Sequence, residues 1–156
     1  MALAVSLKNH LDRMHIRYEI VPHDATPSTS RTAEASHVSG DKIAKGVLVR
    51  DKEGYTLAVV PASCHLRMPD LGALLGSTVA LATEQEIDDI FTDCAHGAIP
   101  PIGAAYGLDV VVDDRVMERG EVYFEGGDHV SLVRVSAPDL ETLMADARRA
   151  RFAEHD

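Results

Sequence analysis

The segment GVLVRDKEGYTLAVV, residues 46–60, limits the possible folds of this chain more than any other stretch. Its flanking runs, GVLVR and YTLAVV, are rich in β-branched residues, and the polar tetrapeptide DKEG lies between them. Such runs on either side of a short glycine-containing segment are typical of a β-hairpin. The sequence therefore predicts two antiparallel strands joined by a four-residue connection.

Helical patterns occur on both sides of this hairpin. Ser6 is expected to cap a first helix, in which Leu7, Leu11 and Met14 share one face. Turn-forming residues over 23–31 predict a loop, and the weakly amphipathic stretch 32–45 predicts a second helix. Three later helices are predicted over residues 69–75 with Gly76 as the stop, from Thr83 onward with Glu86 completing a capping box, and from Ser136 and Pro138 onward.

Short β-type runs account for much of the remaining chain. Residues 17–21 and 78–81 are predicted strands, and DVVVD, EVYF and VSLVRV predict three more in the last third of the chain. The glycine-rich turn EGGD, residues 125–128, separates the last two. Several strands, some in hairpins, with interspersed helices predict a mixed sheet in an α/β or α+β domain. At 156 residues, the chain is expected to form a single domain over 1–156.

The formal net charge of −10 limits the choice of partners. A broad grip on duplex DNA needs many basic side chains, so DNA is not an expected partner. Local basic clusters remain available for a smaller contact. The first comprises Arg31, Lys42, Lys45, Arg50 and Lys52, and the second, interpreted as a solvated helix end, comprises Arg148, Arg149 and Arg151.

Membrane, metal and cysteine signals are weak. No apolar run approaches the roughly 20 residues of a membrane span, and no signal-peptide pattern opens the chain. Cys64 and Cys94 form no CxxC motif, so reduced thiols in a cytoplasmic protein are expected. Cys64 is adjacent to Ser63 and His65, but adjacency does not give triad geometry. The histidines have no zinc-binding spacing, and neither a metal nor a cofactor is expected.

The stretch GAIPPIG, residues 97–103, is both apolar and stiff. Pro100 and Pro101 have fixed φ angles and no amide hydrogen, and each restricts the residue before it. The remaining amide donors belong to Gly97, Ala98, Ile99, Ile102 and Gly103. A stiff loop with a few free amides suits the binding of a carbonyl or a developing oxyanion. The alternative is a tight apolar crossover between a helix and a strand.

The run IAKGVLVRDKEGYTLAVVPAS, residues 43–63, resembles the signature of the YbaK/ProX family of aminoacyl-tRNA deacylases. These proteins are relatives of the editing insertion domain of bacterial prolyl-tRNA synthetases. LGALLG, LATEQEI, GAIPPIG and EVYFEGGDHVSLVRVSAPDL follow in the family's order, and the resemblance extends over roughly residues 5–145. It implies a mixed, partly barrel-like β-sheet flanked by helices. Gly97 and Pro101 match the family's G-x-x-x-P motif.

The resemblance implies hydrolysis of the ester that joins a wrong amino acid to its tRNA, as an editing step in trans. A second pocket of this kind removes errors that a synthetase cannot reject by binding alone. The implied catalytic residues are Lys45, Gly97 and Pro101, with Lys45 contacting the 3′ end of the substrate. The implied substrate-binding residues are Ala98, Ile99, Pro100, Gly103 and His129.

Mischarged tRNA is therefore the expected partner, with an aminoacyl-tRNA synthetase as a second candidate. Lys45 is alternatively a surface lysine at a helix end, and His129 an ordinary hydrogen-bonding histidine. Gly46 departs from the family pattern, since several members have a polar or bulkier residue after the lysine. Two other functions stay open: a non-catalytic relative that binds aminoacyl-tRNA or an amino acid, and a small-molecule esterase. The amino acid removed and the oligomeric state are also left open.

Overall fold

The structure is a computed structural model that describes residues 3–24 and 29–156. The described helices are α1 (Val5–Arg13), α2 (Thr29–Ser36), α3 (Met68–Leu75), α4 (Glu84–Ile90), α5 (Asp114–Met117) and α6 (Ala137–Leu143). The described strands are β1 (Tyr18–Pro22), β2 (Ile43–Asp51), β3 (Gly54–Pro61), β4 (Cys64–Leu66), β5 (Ala80–Leu81), β6 (Asp109–Asp113), β7 (Glu121–Glu125), β8 (Ser131–Ser136), β9 (Arg148–Ala150) and β10 (Ala153–His155).

The predicted hairpin is confirmed as β2 and β3, but its connection is shorter than expected. Asp51 pairs with Gly54, so only Lys52 and Glu53 lie between the strands. Asp51 Oδ1 accepts hydrogen bonds from the backbone N–H groups of Glu53 and Gly54, at 2.7 and 3.1 Å. Gly54 has a φ of 139°, which a glycine adopts without strain. The side chain of Asp51 thus closes a turn that the residue types alone suggested was longer.

The main sheet is mixed, which confirms the predicted fold class. Its strand order is β1-β8-β7-β2-β3-β6-β9, and β5 pairs separately with β2. β2 runs antiparallel to β3 and parallel to β7, while β3 runs parallel to β6. β10 and β4 form a separate two-stranded ribbon. The hairpin β2–β3 therefore lies at the centre of the sheet.

The two faces of this central hairpin contribute to different hydrophobic clusters. Leu48 and Leu57 belong to the larger cluster, which also contains Leu7 and Leu11 of α1 and Leu140 of α6. On the alternate positions, Val49 and Ala58 pack in a second cluster, together with Leu71 of α3 and with Phe152. In the part of the chain that the structure describes, no helix is long and apolar enough to cross a membrane.

Several predicted boundaries are wrong. The cap of α1 is Ala4, without a side-chain bond, because the amide of Ser6 instead donates to Asp93 Oδ2 at 2.8 Å. The predicted second helix over 32–45 is α2 followed by a 3-10 turn at Gly40–Lys42, and β2 already begins at Ile43. The loop predicted over 23–31 lies partly outside the described residues, and its last three residues are helical.

The sequence suggested that the arginine cluster near the C-terminus is a helix end, and this interpretation is wrong. Arg148–Ala150 is strand β9, which pairs with β6. Arg148 donates to the carbonyl of Leu74, and Arg149 pairs with Glu141. Arg151 pairs with Glu118. These arginines thus hold structural partners.

Candidate active site

The GAIPPIG loop is packed into the molecule along part of its length. Ala98 is fully buried and Pro101 is buried, whereas Gly97 is exposed and Ile99 is half-buried. Gly97 has a φ of 81°, in the left-handed region that favours glycine. The loop is therefore buried at Ala98 and from Pro100 onward, and it presents Gly97 and Ile99 outward.

Strand β2 approaches this loop closely at Gly46. A Cβ atom at Gly46 would lie 3.3 Å from Cα of Pro101 and 3.0 Å from Cδ1 of Leu57. Contacts of 3.0–3.4 Å are tighter than most Cβ atoms make, so a side chain here would push on the loop. Gly46, which departs from the family pattern, thus lies against the backbone of Pro101.

The amides of the loop differ in their hydrogen bonding. The N–H of Ala98 donates to the carbonyl of Ala95 at 3.1 Å, which closes a turn at the start of the loop. Among the described residues, no acceptor pairs with the N–H of Gly97 or of Ile99. Two amides, two residues apart on a stiff loop, are thus free to bind an acceptor from outside.

A pocket of about 310 Å³, here called the loop pocket, lies beside these amides. Gly46, Gly97 and Ile99 line it, together with aliphatic side chains that include Leu48 and Ile87. Its charged lining residues are Glu84 and His96. The volume is at the lower end of the range of ligand pockets, so the loop pocket suits a small, largely apolar group.

The loop pocket opens at an interruption in the sheet. β7 pairs with β2 only at Ile43 and Ala44, and β5 pairs with it only at Val49 and Arg50. The carbonyl of Leu48 accepts from Ala82 N–H on this side. Alternate residues of a strand direct their backbone groups to the same edge, so Gly46 directs its N–H and C=O here as well. Backbone polar groups of β2 thus face the pocket.

His96 joins helix α4 to the loop. Its Nε2 pairs with the Glu84 carboxylate, and its Nδ1 lies 3.3 Å from Asp88 Oδ1. The hydrogen bond to Asp88 and the negative charge of Glu84 raise the pKa of His96. When protonated, His96 therefore pairs with two acidic side chains of α4 beside the loop.

His129 reaches the same loop from the turn between β7 and β8. Its backbone has a φ of 62°, and its Nε2 donates to the carbonyl of His96, the residue before Gly97. The N–H of Ala95 donates to the carbonyl of Gly127 at 2.7 Å. His129 therefore supports the loop from behind and does not line the loop pocket.

Lys45 lies in the interior of β2 and not at a helix end. Its neighbour Gly46 faces Pro101, and successive side chains of a strand point to opposite faces, so Lys45 points away from the loop. The pKa of Asp156 is lowered by its hydrogen bond with His65 and also by the positive charge of Lys45. No carboxylate of a described residue forms an ion pair with Lys45.

Other basic residues of the first cluster differ from Lys45 in this respect. Lys42 pairs with Glu121 at 3.9 Å, and Arg50 pairs with Glu86 at 3.5 Å. The side chain of Arg31 lies outside the described residues. The structure thus separates Lys45 from the paired cations of the cluster.

The segment before the loop is held by a polar contact that the sequence did not predict. Asp93 accepts hydrogen bonds from Ser6 N–H and from the Tyr106 hydroxyl, both at 2.8 Å. Burial acts to raise the pKa of Asp93, but these hydrogen bonds outweigh it and lower the pKa. Burial raises the pKa of the neighbouring Cys94 to about 11. Cys94 is therefore a thiol and a poor nucleophile.

Gly103, at the end of the loop, lies elsewhere. It lines a second cavity of about 310 Å³ between α1 and α6, which also contains His10. Ala98, Pro100 and Pro101 shape the loop from its buried side and do not line the loop pocket. No group of three or more potential metal-ligating side chains occurs among residues 3–24 and 29–156.

Comparison with known proteins identifies the family to which this chain belongs. The sequence profile described as "Aminoacyl-tRNA editing domain" matches residues 23–143. The chain therefore belongs to the aminoacyl-tRNA editing domain family, which confirms the resemblance stated from the sequence.

One curated relative and two solved structures are similar to this chain over most of its length. The chain is 25% identical over 141 residues to the "Prolyl-tRNA editing protein ProX" of Acetoanaerobium sticklandii, covering 86% of this chain and 85% of the relative. A solved structure described as a proposed trans-editing enzyme for prolyl-tRNA synthetase superposes with a TM-score of 0.82 at 24% identity, covering 97% of this chain and 96% of the other. A second solved structure, described as a proposed signal transduction protein from Marinobacter aquaeolei VT8, superposes with a TM-score of 0.80 at 22% identity. That match covers 97% of this chain and 31% of the longer protein.

Proposed function

We propose that the chain is a trans-editing deacylase that hydrolyses the ester of a mischarged aminoacyl-tRNA. The observation that carries the proposal is that the backbone N–H groups of Gly97 and Ile99, two residues that line the loop pocket, have no hydrogen-bond acceptor among the described residues. The tetrahedral intermediate of ester hydrolysis bears an oxyanion, which two preorganised N–H donors stabilise. The adjacent prolines keep the donors in position without reorganisation during the reaction.

The substrate's acyl group would enter the loop pocket, with its carbonyl oxygen at the two amides. Water would then attack the carbonyl carbon, and the 3′-terminal ribose hydroxyl would leave. Free N–H groups and an aliphatic lining supply the donors and the shaped site that this acyl transfer needs. The chemistry uses no cysteine nucleophile, in agreement with the raised pKa of Cys94.

Lys45 would contact the 3′ end of the tRNA from the opposite face of β2. The Lys45 ammonium, which has no carboxylate partner among the described residues, is available to bind a phosphate. A contact confined to the end of the tRNA is compatible with the net charge of −10, since few phosphates are neutralised. By its relatives' names, tRNA specific for proline is the first substrate to test.

The test is the deacylation of mischarged proline tRNA compared with that of a simple ester of the same amino acid. We expect the tRNA ester to be hydrolysed at a higher kcat/KM, because the 3′ end adds contacts. Equal values for both esters would indicate a small-molecule esterase. Binding of the charged tRNA without hydrolysis would indicate a non-catalytic relative.

A further inference from the structure

Glu125, the last residue of β7, has a buried carboxyl group that the proposed reaction does not use. It is 2% exposed, and its Oε1 accepts a hydrogen bond of 2.6 Å from the Thr32 hydroxyl. Its Oε2 is buried without a hydrogen-bond partner among the described residues. Burial raises the pKa of Glu125, and the Thr32 hydrogen bond and the charges of His23 and His129 oppose this. The pKa of Glu125 is raised on balance, and in its neutral form the carboxyl group carries an Oε2–H donor.

Two imidazoles lie beside this carboxyl group. His23 and His129 are both close enough to act on the carboxyl group electrostatically. The backbone N–H of His23 donates to the backbone carbonyl of Val130, the residue after His129, at 2.8 Å. Each ring has one buried nitrogen without a partner in the described part of the chain, Nε2 of His23 and Nδ1 of His129. Buried polar atoms are usually hydrogen-bonded, so this group of three needs an explanation.

Backbone carbonyls fix the tautomer of both rings. Nε2 of His129 bonds to the carbonyl of His96, and Nδ1 of His23 bonds to the carbonyl of Asp24 at 2.7 Å. A carbonyl only accepts, so each of these nitrogens carries the proton. In the neutral rings, the other two nitrogens, Nε2 of His23 and Nδ1 of His129, are therefore acceptors.

The remaining acid nearby is already occupied. Asp128 accepts from the N–H groups of Val130 and Ser131 at its Oδ1, and from the Ser131 hydroxyl at its Oδ2. It is thus not a partner for the two imidazoles. The neutral Glu125 carboxyl group thus supplies one donor, and the neutral rings of His23 and His129 supply two acceptors, all three buried and unpartnered among the described residues.

A water molecule complements this set, because it accepts one hydrogen bond and donates two. We propose that a single buried water is bound by Glu125 Oε2, His23 Nε2 and His129 Nδ1. Buried waters typically make about three hydrogen bonds to polar groups that would otherwise be unpaired. Glu125 then acts as a positioning residue for His129, whose Nε2–H in turn holds the carbonyl of His96 beside Gly97.

The structural test is a high-resolution crystal structure of the wild-type protein and of two variants. Glu125→Gln keeps a neutral donor, whereas Glu125→Met has a similar length and no donor. We expect a water within about 3.2 Å of the three atoms in the wild type and in Glu125→Gln, and none in Glu125→Met. A wild-type structure in which these side chains contact one another directly, or in which no water bridges them, overturns the proposal.

The kinetic test rests on the proposed function. Below the raised pKa of Glu125, we expect Glu125→Gln to retain deacylation within about twofold of the wild type and Glu125→Met to lose about tenfold, at matched folded fraction. Wild-type activity should fall as the pH rises through the raised pKa of Glu125, because the carboxylate no longer donates. Glu125→Gln should lack this fall, and Glu53→Gln, at the exposed hairpin turn, should retain it.

Equal losses in the glutamine and methionine variants would overturn the positioning role, as would a wild-type pH profile in Glu125→Gln. If Glu125→Met does not fold, the pH profile of Glu125→Gln decides. If no ester is hydrolysed by the wild type, the proposed function fails, and the crystal structures still decide on the water.

Discussion

Gly46 lies close to Pro101 across the boundary between the sheet and the loop, since a Cβ placed on Gly46 would lie 3.3 Å from Cα of Pro101. No side chain separates β2 from the loop at this point. The position of the loop, and with it the two free amides, therefore depends on the absence of a side chain at Gly46.

Replacement of Gly46 by alanine should displace the loop and lower deacylation by about tenfold, equivalent to roughly 1.4 kcal/mol. Overpacking against Leu57 and Pro101 destabilises, but alanine also restricts the unfolded chain, so the net stability change should stay within about 1 kcal/mol. Single-turnover rates and thermal melts measure the two effects. Gly120→Ala is the control, because a Cβ there meets no atom within 4 Å. A wild-type rate in Gly46→Ala would show that the loop tolerates the displacement.

Lys45 provides a second prediction. Its ammonium has no carboxylate partner among the described residues, so Lys45→Ala should melt close to the wild type. Loss of the contact with the 3′ end should lower the rate on tRNA esters by tenfold or more, about 1.4 kcal/mol. Lys45→Arg should restore part of it, since the guanidinium is larger and planar. Lys52→Ala, at the hairpin turn, is the matched control. Equal rates for Lys45→Ala and the control would remove Lys45 from the mechanism.

The imidazolium of His96 predicts a pH dependence of stability. Its folded-state pKa is raised above 6.5 by Asp88 and Glu84. This contribution is therefore fully present below pH 6.5 and is lost as the pH rises through the raised pKa. Thermal melts of the wild type should show a melting temperature that declines as the pH rises above 6.5, and His96→Gln should lack this decline. NMR titration of His96 in Asp88→Asn should give a pKa closer to the ordinary value; an unchanged pKa would contradict the assigned cause.

Asp113 is expected to be the strongest single polar determinant of the C-terminal ribbon. It is fully buried, and its carboxylate accepts from the backbone N–H groups of Arg115, Phe152 and Ala153, each at 2.9 Å. In Asp113→Asn, the amide group would face donors, so unfolding in urea should show a loss of about 2–4 kcal/mol. Asp114→Asn, at the half-buried neighbour that pairs with Arg151, should lose less than about 1 kcal/mol. Similar losses in both variants would contradict this account.

Local signals predicted the parts of the fold that local chemistry determines. The β-branched runs gave the hairpin, the Thr83–Glu86 capping box begins α4, and Gly76 ends α3 in the left-handed conformation. Strands β9 and β10 were missed because each has three residues. The backbone N–H groups of Phe152, just before β10, and of Ala153, its first residue, bind Asp113, about forty residues away in sequence. Such a partner has no local sequence pattern.

The candidate site divides in the same way. The prolines predicted a stiff loop, but the positive φ of Gly97 at its start was found only in the structure. The contacts of His96 with α4 and with His129 could not be predicted, because they join segments that only the fold brings together. The sequence also gave no indication that Lys45 and the loop lie on opposite faces of β2, since that depends on which residues of the strand face Pro101.

The most direct test of the central claim is the single-turnover hydrolysis of a panel of mischarged tRNAs by the wild-type protein. The panel carries alanine, cysteine, serine and threonine esters, with correctly charged prolyl-tRNA as the reference. We expect at least one mischarged ester to be hydrolysed well above its spontaneous rate, while the prolyl ester remains intact. Spontaneous rates for every ester, with folded protein in excess, would contradict the assignment of the loop pocket as a deacylase site.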